Sequence, residues 1–247
     1  MKYRKGCKSG LILGLMGLAT IAMADNASSH STVMSADQQE AKTPAQVLQR
    51  LKDGNQRFTE GKLKNRDLVA QAYATAKNQH PVAVILNCMD ARTPPELVFD
   101  QGIGDVFTLR VAGNVQNDDI LGSMEFGTKV VGAKLIAVIG HTNCGAIRGA
   151  CNQVKLGHLT GVLQKIEPAL NQVDKEKSAP DCSSEAVINE IAKDNVLVVM
   201  KQIQERSPVL AKLIQEGEVG IVGGIQDLST GKVTFFDTES IMPKTQG

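Results

Sequence analysis

Pro81-Val-Ala-Val-Ile-Leu-Asn87, running directly into Cys88-Met-Asp90-Ala-Arg92, decides how this chain is read. The first seven residues are almost continuously apolar and rich in branched side chains. A run of that length and content reads as a strand buried on both faces, the kind found in parallel sheets. The next five place a thiol, a carboxylate and a guanidinium at alternate positions. The pattern returns further along: Leu135-Ile-Ala-Val-Ile-Gly140 is another buried strand, and it ends at His141-Thr-Asn-Cys144. Both polar groups follow the C-terminal ends of predicted strands, the edge where open parallel sheets form their sites. They can therefore meet on one rim although they are far apart in sequence.

Outward from these runs, Val106–Arg110 and Val219–Gln226 read as two further strands. Ser229-Thr-Gly231 turns into a hairpin partner over Val233–Phe236, an edge strand. Helices fill the intervals. Thr43-Pro44 supplies an N-cap and a proline at the first helical position, with Val47, Leu48, Leu51 and Phe58 on one face and Gly61 ending the region. Residues 65–79 can hold a second helix. Asp118 or Asp119 can cap a helix from Ile120 to about Val131. Residues 145–151 read as a short helix, 156–173 as mostly helical, 174–183 as a charged loop, and Ser184 to about Glu205 as a long helix. Ser207-Pro208 repeats the cap-plus-proline start, and Gly217 stops that helix. Strands alternating with helices imply an α/β fold: a mainly parallel central β-sheet of four strands plus an edge strand, flanked by helices. No internal repeat is present.

The N-terminus stands apart. Lys2, Arg4, Lys5 and Lys8 precede an apolar run from Leu11 to Met23, and Ala22-Met-Ala24 has the small-x-small form of a cleavage site. The run is short for a membrane span, which needs about 20 residues. Residues 1–24 are therefore expected to be a cleavable signal peptide and the protein periplasmic, with a retained anchor as the alternative. Residues 25–42 read as a flexible linker and 43–247 as a single catalytic domain, with no membrane span in the mature protein. Losing four basic residues takes the net charge from +1 to −3, which gives no reason to expect nucleic-acid binding. Aromatic residues make up 3% of the chain, with no Trp, so the core must be aliphatic.

Export implies an oxidising compartment. Cys88, Cys144, Cys151 and Cys182 remain in the mature chain. Two disulfides are the plain alternative to a metal, but the His and the Asp/Arg beside Cys88 and Cys144 favour zinc for that pair. Cys151 and Cys182 lack such company and are either buried free thiols or a disulfide, which geometry decides. Two thiolates and one neutral imidazole suit zinc with a fourth position open, the arrangement of a catalytic site. Zinc lowers the pKa of water to about 7, although thiolates make it less acidic than three imidazoles would. Asp90 can help by accepting a hydrogen bond from the attacking hydroxide. Arg92 can hold that carboxylate bidentately and keep it ionised. Cys144 at a helix N-terminus favours the thiolate. A closed structural site, with Asp90 as fourth ligand, is the alternative. Either motif alone arises by chance, and it is the two together, each after a buried strand, that carry the reading. His30, His80 and His158 read as solvated surface histidines.

At these residues the chain resembles the β-class carbonic anhydrases. The shared elements are Cys88-x-Asp90-x-Arg92 and His141-x-x-Cys144-Gly145. Gly54-Asn-Gln-Arg-Phe58, Arg110-x-Ala112-Gly-Asn114 and Ser207-Pro-Val-Leu210 also look like that family's bacterial members. The resemblance covers about residues 43–238. It implies one Zn²⁺ per subunit on Cys88, His141 and Cys144, with Asp90 and Arg92 as the catalytic dyad. It also implies CO₂/bicarbonate as substrate, Gln79 as a hydrogen-bonding group, and Phe107, Ala112 and Phe126 as an apolar pocket partly built across a dimer interface. Ordinary core is the other reading of those three. Gly145 matches a glycine whose N–H lies near the site. A homodimer or dimer of dimers follows from the same resemblance. Where some members have a Trp three residues before the first Cys, this chain has Ile85, so the open arrangement with Asp90 off the metal is expected. The implied reaction is the reversible hydration of CO₂ to bicarbonate and a proton. The alternatives are a zinc hydrolase of a CO₂-like molecule such as carbon disulfide, and a non-enzymatic periplasmic zinc-binding or redox protein.

Overall fold

The alternation of side chains along the two most apolar runs divides the core. In the computed structural model, which describes residues 32–173, 180–238 and 240–243, β1 spans Ala83–Asn87 and β3 spans Leu135–His141. Val84 and Leu86 of β1, with Ile136 and Val138 of β3, face one helical layer. Ala83 and Ile85, with Leu135, Ala137 and Ile139, face the other. Both strands are buried throughout, as continuous apolar sequence requires. With β2 (Val106–Arg110), β4 (Gly220–Gln226) and β5 (Val233–Phe235) they form one sheet of order β2-β1-β3-β4-β5. The first four strands are parallel, and β5 returns antiparallel to β4. This is the α/β sheet expected from the sequence.

Ten α-helices are seen among the described residues. They are α1 (Ala36–Glu40), α2 (Pro44–Thr59), α3 (Leu68–Thr75), α4 (Pro95–Val98), α5 (Asp118–Glu125), α6 (Gly145–Cys151), α7 (Gly157–Gln164), α8 (Glu167–Val173), α9 (Glu185–Arg206) and α10 (Pro208–Gln215). Thr43 caps α2 in a capping box with Gln46, and Ser184 and Ser207 cap α9 and α10. Val196, Val199 and Ile203 of α9 and Leu210 and Leu213 of α10 cover one sheet face. Val47 and Leu51 of α2, with Val98 and Phe99, cover the other.

Three local expectations change. Asn117, not Asp118 or Asp119, caps α5: its side chain accepts from the Ile120 N–H at 2.9 Å, and the two acids fall in the first turn. That helix is also α-helical only to Glu125 and continues as a π turn over Phe126–Val130. The flexible-linker reading does not hold for residues 36–40, which form α1 behind a Ser35–Gln38 capping box. There the buried Gln39 donates to the carbonyls of Pro81 (2.6 Å) and Val131 (3.1 Å) and anchors the segment to the domain. The expected signal peptide and His30 lie outside the described residues, as do 174–179 of the charged loop. Cys151 and Cys182 form a disulfide with Cα atoms 5.7 Å apart, which closes the question their sequence left open. A bridge across this sequence separation of 31 contributes about 3–4 kcal/mol by loop-entropy reasoning.

The Gly54-Asn55 pair fixes α2 against the sheet. A Cβ at Gly54 would lie 1.8 Å from the Phe99 carbonyl oxygen. Asn55 donates to the carbonyls of Val98 (3.1 Å) and Gly231 (2.9 Å) and accepts from the Val233 N–H at 2.8 Å. Replacing Gly54 by Ala should therefore lose at least about 2 kcal/mol of stability, the cost of overpacking against backbone that cannot move aside. Urea unfolding checks this; a midpoint equal to wild type would contradict the close approach.

Candidate metal centre

The sheet brings the two motifs together at its topological switch point. β1 pairs with β2 on one side and with β3 on the other, so the chain direction across the sheet reverses between β1 and β3. Asn87 lies opposite Ile139, which sets Cys88 just past one strand end beside His141 at the other. Cys144 follows as the N-cap of α6. The ligand atoms of Cys88, His141 and Cys144 all lie within 4.8 Å of one another, and the three side chains are buried.

The surroundings prepare these atoms to bind a cation. His141 Nδ1 lies 2.9 Å from the Thr142 carbonyl oxygen. A carbonyl only accepts, so Nδ1 carries the proton and Nε2 keeps its lone pair. That Nε2 is buried and has no hydrogen-bond partner. An orphaned acceptor facing two thiols fits a borderline dication and little else. The thiol of Cys144 hydrogen-bonds Cys88 and, despite burial, holds Cys88 well below the ordinary thiol range, helped by the Gly113 N–H. The same bond, with burial, pushes Cys144 above the ordinary thiol range. A bound dication would hold both sulfurs as thiolates. The residues present fit zinc.

Gly113 has φ +72°, a left-handed conformation that turns its N–H toward Cys88 Sγ at 3.4 Å. A side chain there would also meet Ile166 Cδ1 at 2.8 Å. The Gly113 carbonyl accepts from Asn195 Nδ2 at 2.8 Å, and Asn195, on α9, is fully buried. Asn189, also on α9, accepts from the Asn143 N–H at 2.8 Å, between His141 and Cys144. Arg110, at the end of β2, donates to the carbonyls of Cys88 and Asp90 and so fixes the loop that carries both.

Asp90 is gripped by Arg92 through three bonds. Nε donates to Oδ1 (2.9 Å), Nη2 to Oδ2 (2.8 Å), and the Arg92 backbone N–H to Oδ1 (3.0 Å). These bonds hold the carboxyl well below the usual carboxylate range, against the effect of burial. Asp90 Oδ2 remains 3.9 Å from His141 Nε2. The carboxylate thus stands beside the ligand cluster, engaged by the guanidinium.

The other expected residues divide. Ala112 adjoins Gly113, and Gly145 follows Cys144 with open space beside its Cα. Gln79, Phe107 and Phe126 are not at the cluster within one chain. Gln79 precedes β1, whereas Cys88 follows it, and a strand of five residues separates its ends by on the order of 16 Å. Phe107 lies opposite Val84, back along the strand, with its ring 6.2 Å from that of Phe126. Both rings line an open cleft of about 610 Å³ with Asp118, Asp119 and Ser123 rather than with Cys88. One chain alone does not assemble the apolar pocket.

Sequence reading gave no role to Arg110, Gly113, Asn189 or Asn195. The first two lay inside a quoted motif, and only the α9 packing reveals the asparagines. The ligand geometry yields a direct expectation. Cys88→Ser and His141→Ala should lose zinc on purification, whereas Asp90→Asn should retain it. Elemental analysis checks this, and full zinc in His141→Ala would contradict the ligand set.

Comparison with known proteins places this geometry. A family profile described as carbonic anhydrase matches residues 83–233, which contain every residue of the cluster and the dyad. The chain is 31% identical over 196 residues to a carbonic anhydrase of Mycolicibacterium smegmatis, covering 77% of this chain and 92% of that protein. It is 30% identical over 200 residues to carbonic anhydrase 2 of Mycobacterium tuberculosis, covering 78% and 93%. The solved structure of the β-carbonic anhydrase CcaA superposes with a TM-score of 0.59 at 27% identity, covering 77% of this chain and 95% of that one. With its sheet, its Cys-His-Cys cluster and these relatives, the chain belongs to the β class of the carbonic anhydrase family.

Proposed function

We propose that this protein catalyses the reversible hydration of CO₂ to bicarbonate and a proton. The observation that carries the reading is the buried Cys88–His141–Cys144 cluster with the Arg92-held carboxylate of Asp90 beside it. Cys88 Sγ, His141 Nε2 and Cys144 Sγ would hold one zinc ion per subunit. Bound there, zinc supplies Lewis acidity that makes hydroxide available near neutral pH.

The chain's own groups do the rest. Asp90, kept ionised by Arg92, can only accept hydrogen bonds. At Oδ2 it takes the O–H of the attacking oxygen, which turns a lone pair toward the carbon of CO₂. Arg92 engages both carboxylate oxygens, which would keep Asp90 off the metal and supports the open arrangement expected from the sequence. His141 keeps its tautomer through Thr142, and Gly113 stabilises the Cys88 thiolate by donating to it. Hydration releases a proton to buffer. His80 precedes β1 at the far end of the sheet and His158 is exposed on α7, so neither adjoins the cluster.

The apolar pocket is proposed to need a second copy of the chain. β2 is an edge strand, and beside it Phe126 is 53% exposed and Val130 71%. A homodimer, or a dimer of dimers, that covers this edge would bring the partner's apolar residues and a glutamine to the rim. The protein is further proposed to be exported to the periplasm by cleavage after Ala24. The Cys151–Cys182 disulfide supports an oxidising compartment. No helix among the described residues is long and apolar enough to cross a membrane.

Stopped-flow CO₂ hydration tests the reading. Asp90→Ala should lower kcat/KM by about 100-fold or more while zinc stays bound. Phe126→Glu should sediment as a smaller species than wild type and lose hydration with its zinc intact. A fully active monomer would refute the shared pocket, and undiminished activity in Asp90→Ala would refute the role of the dyad.

A further inference from the structure

Beyond the zinc-dependent reading, and resting on it, we propose that the Cys151–Cys182 disulfide is a reducible brace that sets how firmly the chain holds its metal. The bridge lies in the metal-site architecture. α6 begins immediately after Cys144 and ends at Cys151, so one short rigid helix joins a ligand to a bridge sulfur. Cys182 directly precedes the turn into Ser184, the N-cap of α9. The disulfide therefore ties the far end of the ligand helix to the start of α9. Arg148 adds a second tie in the same place, donating to the Cys182 carbonyl at 2.9 Å.

α9 in turn carries the two asparagines that hold the backbone around the ligands. Asn189 holds Asn143, which has φ +53° and sits between His141 and Cys144. Asn195 holds Gly113, whose N–H reaches Cys88 Sγ. All three ligands thus depend on how α6 and α9 sit against each other, and the bridge is the covalent link between those helices. Apolar packing through Ile147, Ile188 and Ile191 also joins them, so opening the bridge loosens the site without dissolving the fold.

The bridge can be reached. Cys151 and Cys182 are half-buried and line an open cleft of about 580 Å³ with Val154, Lys155, Thr160 and Glu167. Cys88 and Cys144 are only 5% and 1% exposed. A dithiol reductant would attack a bridge sulfur, form a mixed disulfide, and leave as a cyclic disulfide as its second thiolate closes. The dithiol gives two electrons, and Cys151 and Cys182 are left as thiols.

The test is zinc release from full-length protein to a chromogenic chelator, well below the unfolding temperature. Three samples are compared: oxidised wild type, wild type reduced with a phosphine after folding, and Cys151→Ser with Cys182→Ser. Loss of an outer support for a ligand typically weakens a metal by 10–100-fold. Zinc should therefore leave both bridge-free samples at least about tenfold faster, with far-ultraviolet circular dichroism unchanged. Asn189→Ala should also speed release from the oxidised protein but add less once the bridge is gone, because both act through the α6–α9 contact. Equal release rates in folded samples with and without the bridge would overturn the brace. Oxidised protein with no zinc to release would overturn the metal-site reading beneath it. Should the serine variant not fold, the phosphine-reduced wild type decides alone.

Discussion

Parallel pairing of β1 with β3, in the register that sets Asn87 opposite Ile139, is the constraint from which the rest of the site follows. Side chains alternate along a strand, so a slip of one residue would turn His141 to the opposite face and part it from Cys88. The register is held by burial. Val84 and Leu86 pack with Ile136 and Val138 on one face, and Ala83 and Ile85 with Leu135 and Ala137 on the other. Because both faces are covered by helices, neither strand can shift without exposing apolar surface. The aliphatic core and the position of the ligands are thus the same fact seen at two scales.

Given that register, the chemistry is set by how polar groups are satisfied. Three groups at the cluster have partners that fix their protonation or direction: Thr142 for His141 Nδ1, Gly113 for Cys88, Arg92 for Asp90. His141 Nε2 has none, and a buried lone pair set within 4.8 Å of two cysteine sulfurs points at a cation. Arg92 has two consequences at once. It keeps Asp90 ionised, so that the carboxylate is an acceptor only. It also engages both carboxylate oxygens, which opposes a move of Asp90 onto the metal.

Much of this was legible in the sequence, for physical reasons that differ by element. The buried strands could be read because a sheet covered on both faces demands continuous apolar runs. The starts of α2, α9 and α10 could be read because Thr43, Ser184 and Ser207 are caps with a local hydrogen-bonding role. The cap of α5 was misplaced by a residue because Asn117, Asp118 and Asp119 are all competent, and only backbone conformation separates them. α1 was missed although Ser35-x-x-Gln38 is a local capping-box signal; what holds so short a helix to the domain is Gln39 reaching Pro81 and Val131, contacts between segments far apart in sequence. Asn189 and Asn195 were invisible because their partners, Asn143 and Gly113, also lie far away in sequence. The Cys151–Cys182 pairing needed the positions of α6 and α9, which no spacing rule supplies. Gln79, Phe107 and Phe126 came from family likeness alone, and one chain places them away from the cluster.

The most direct measurement is CO₂ hydration as zinc is titrated into metal-free, disulfide-intact protein, with bound metal counted in the same samples. The account predicts that activity and bound zinc rise together and break at one zinc per chain. Stoichiometric zinc binding without hydration, or hydration that persists in metal-free protein, would contradict it.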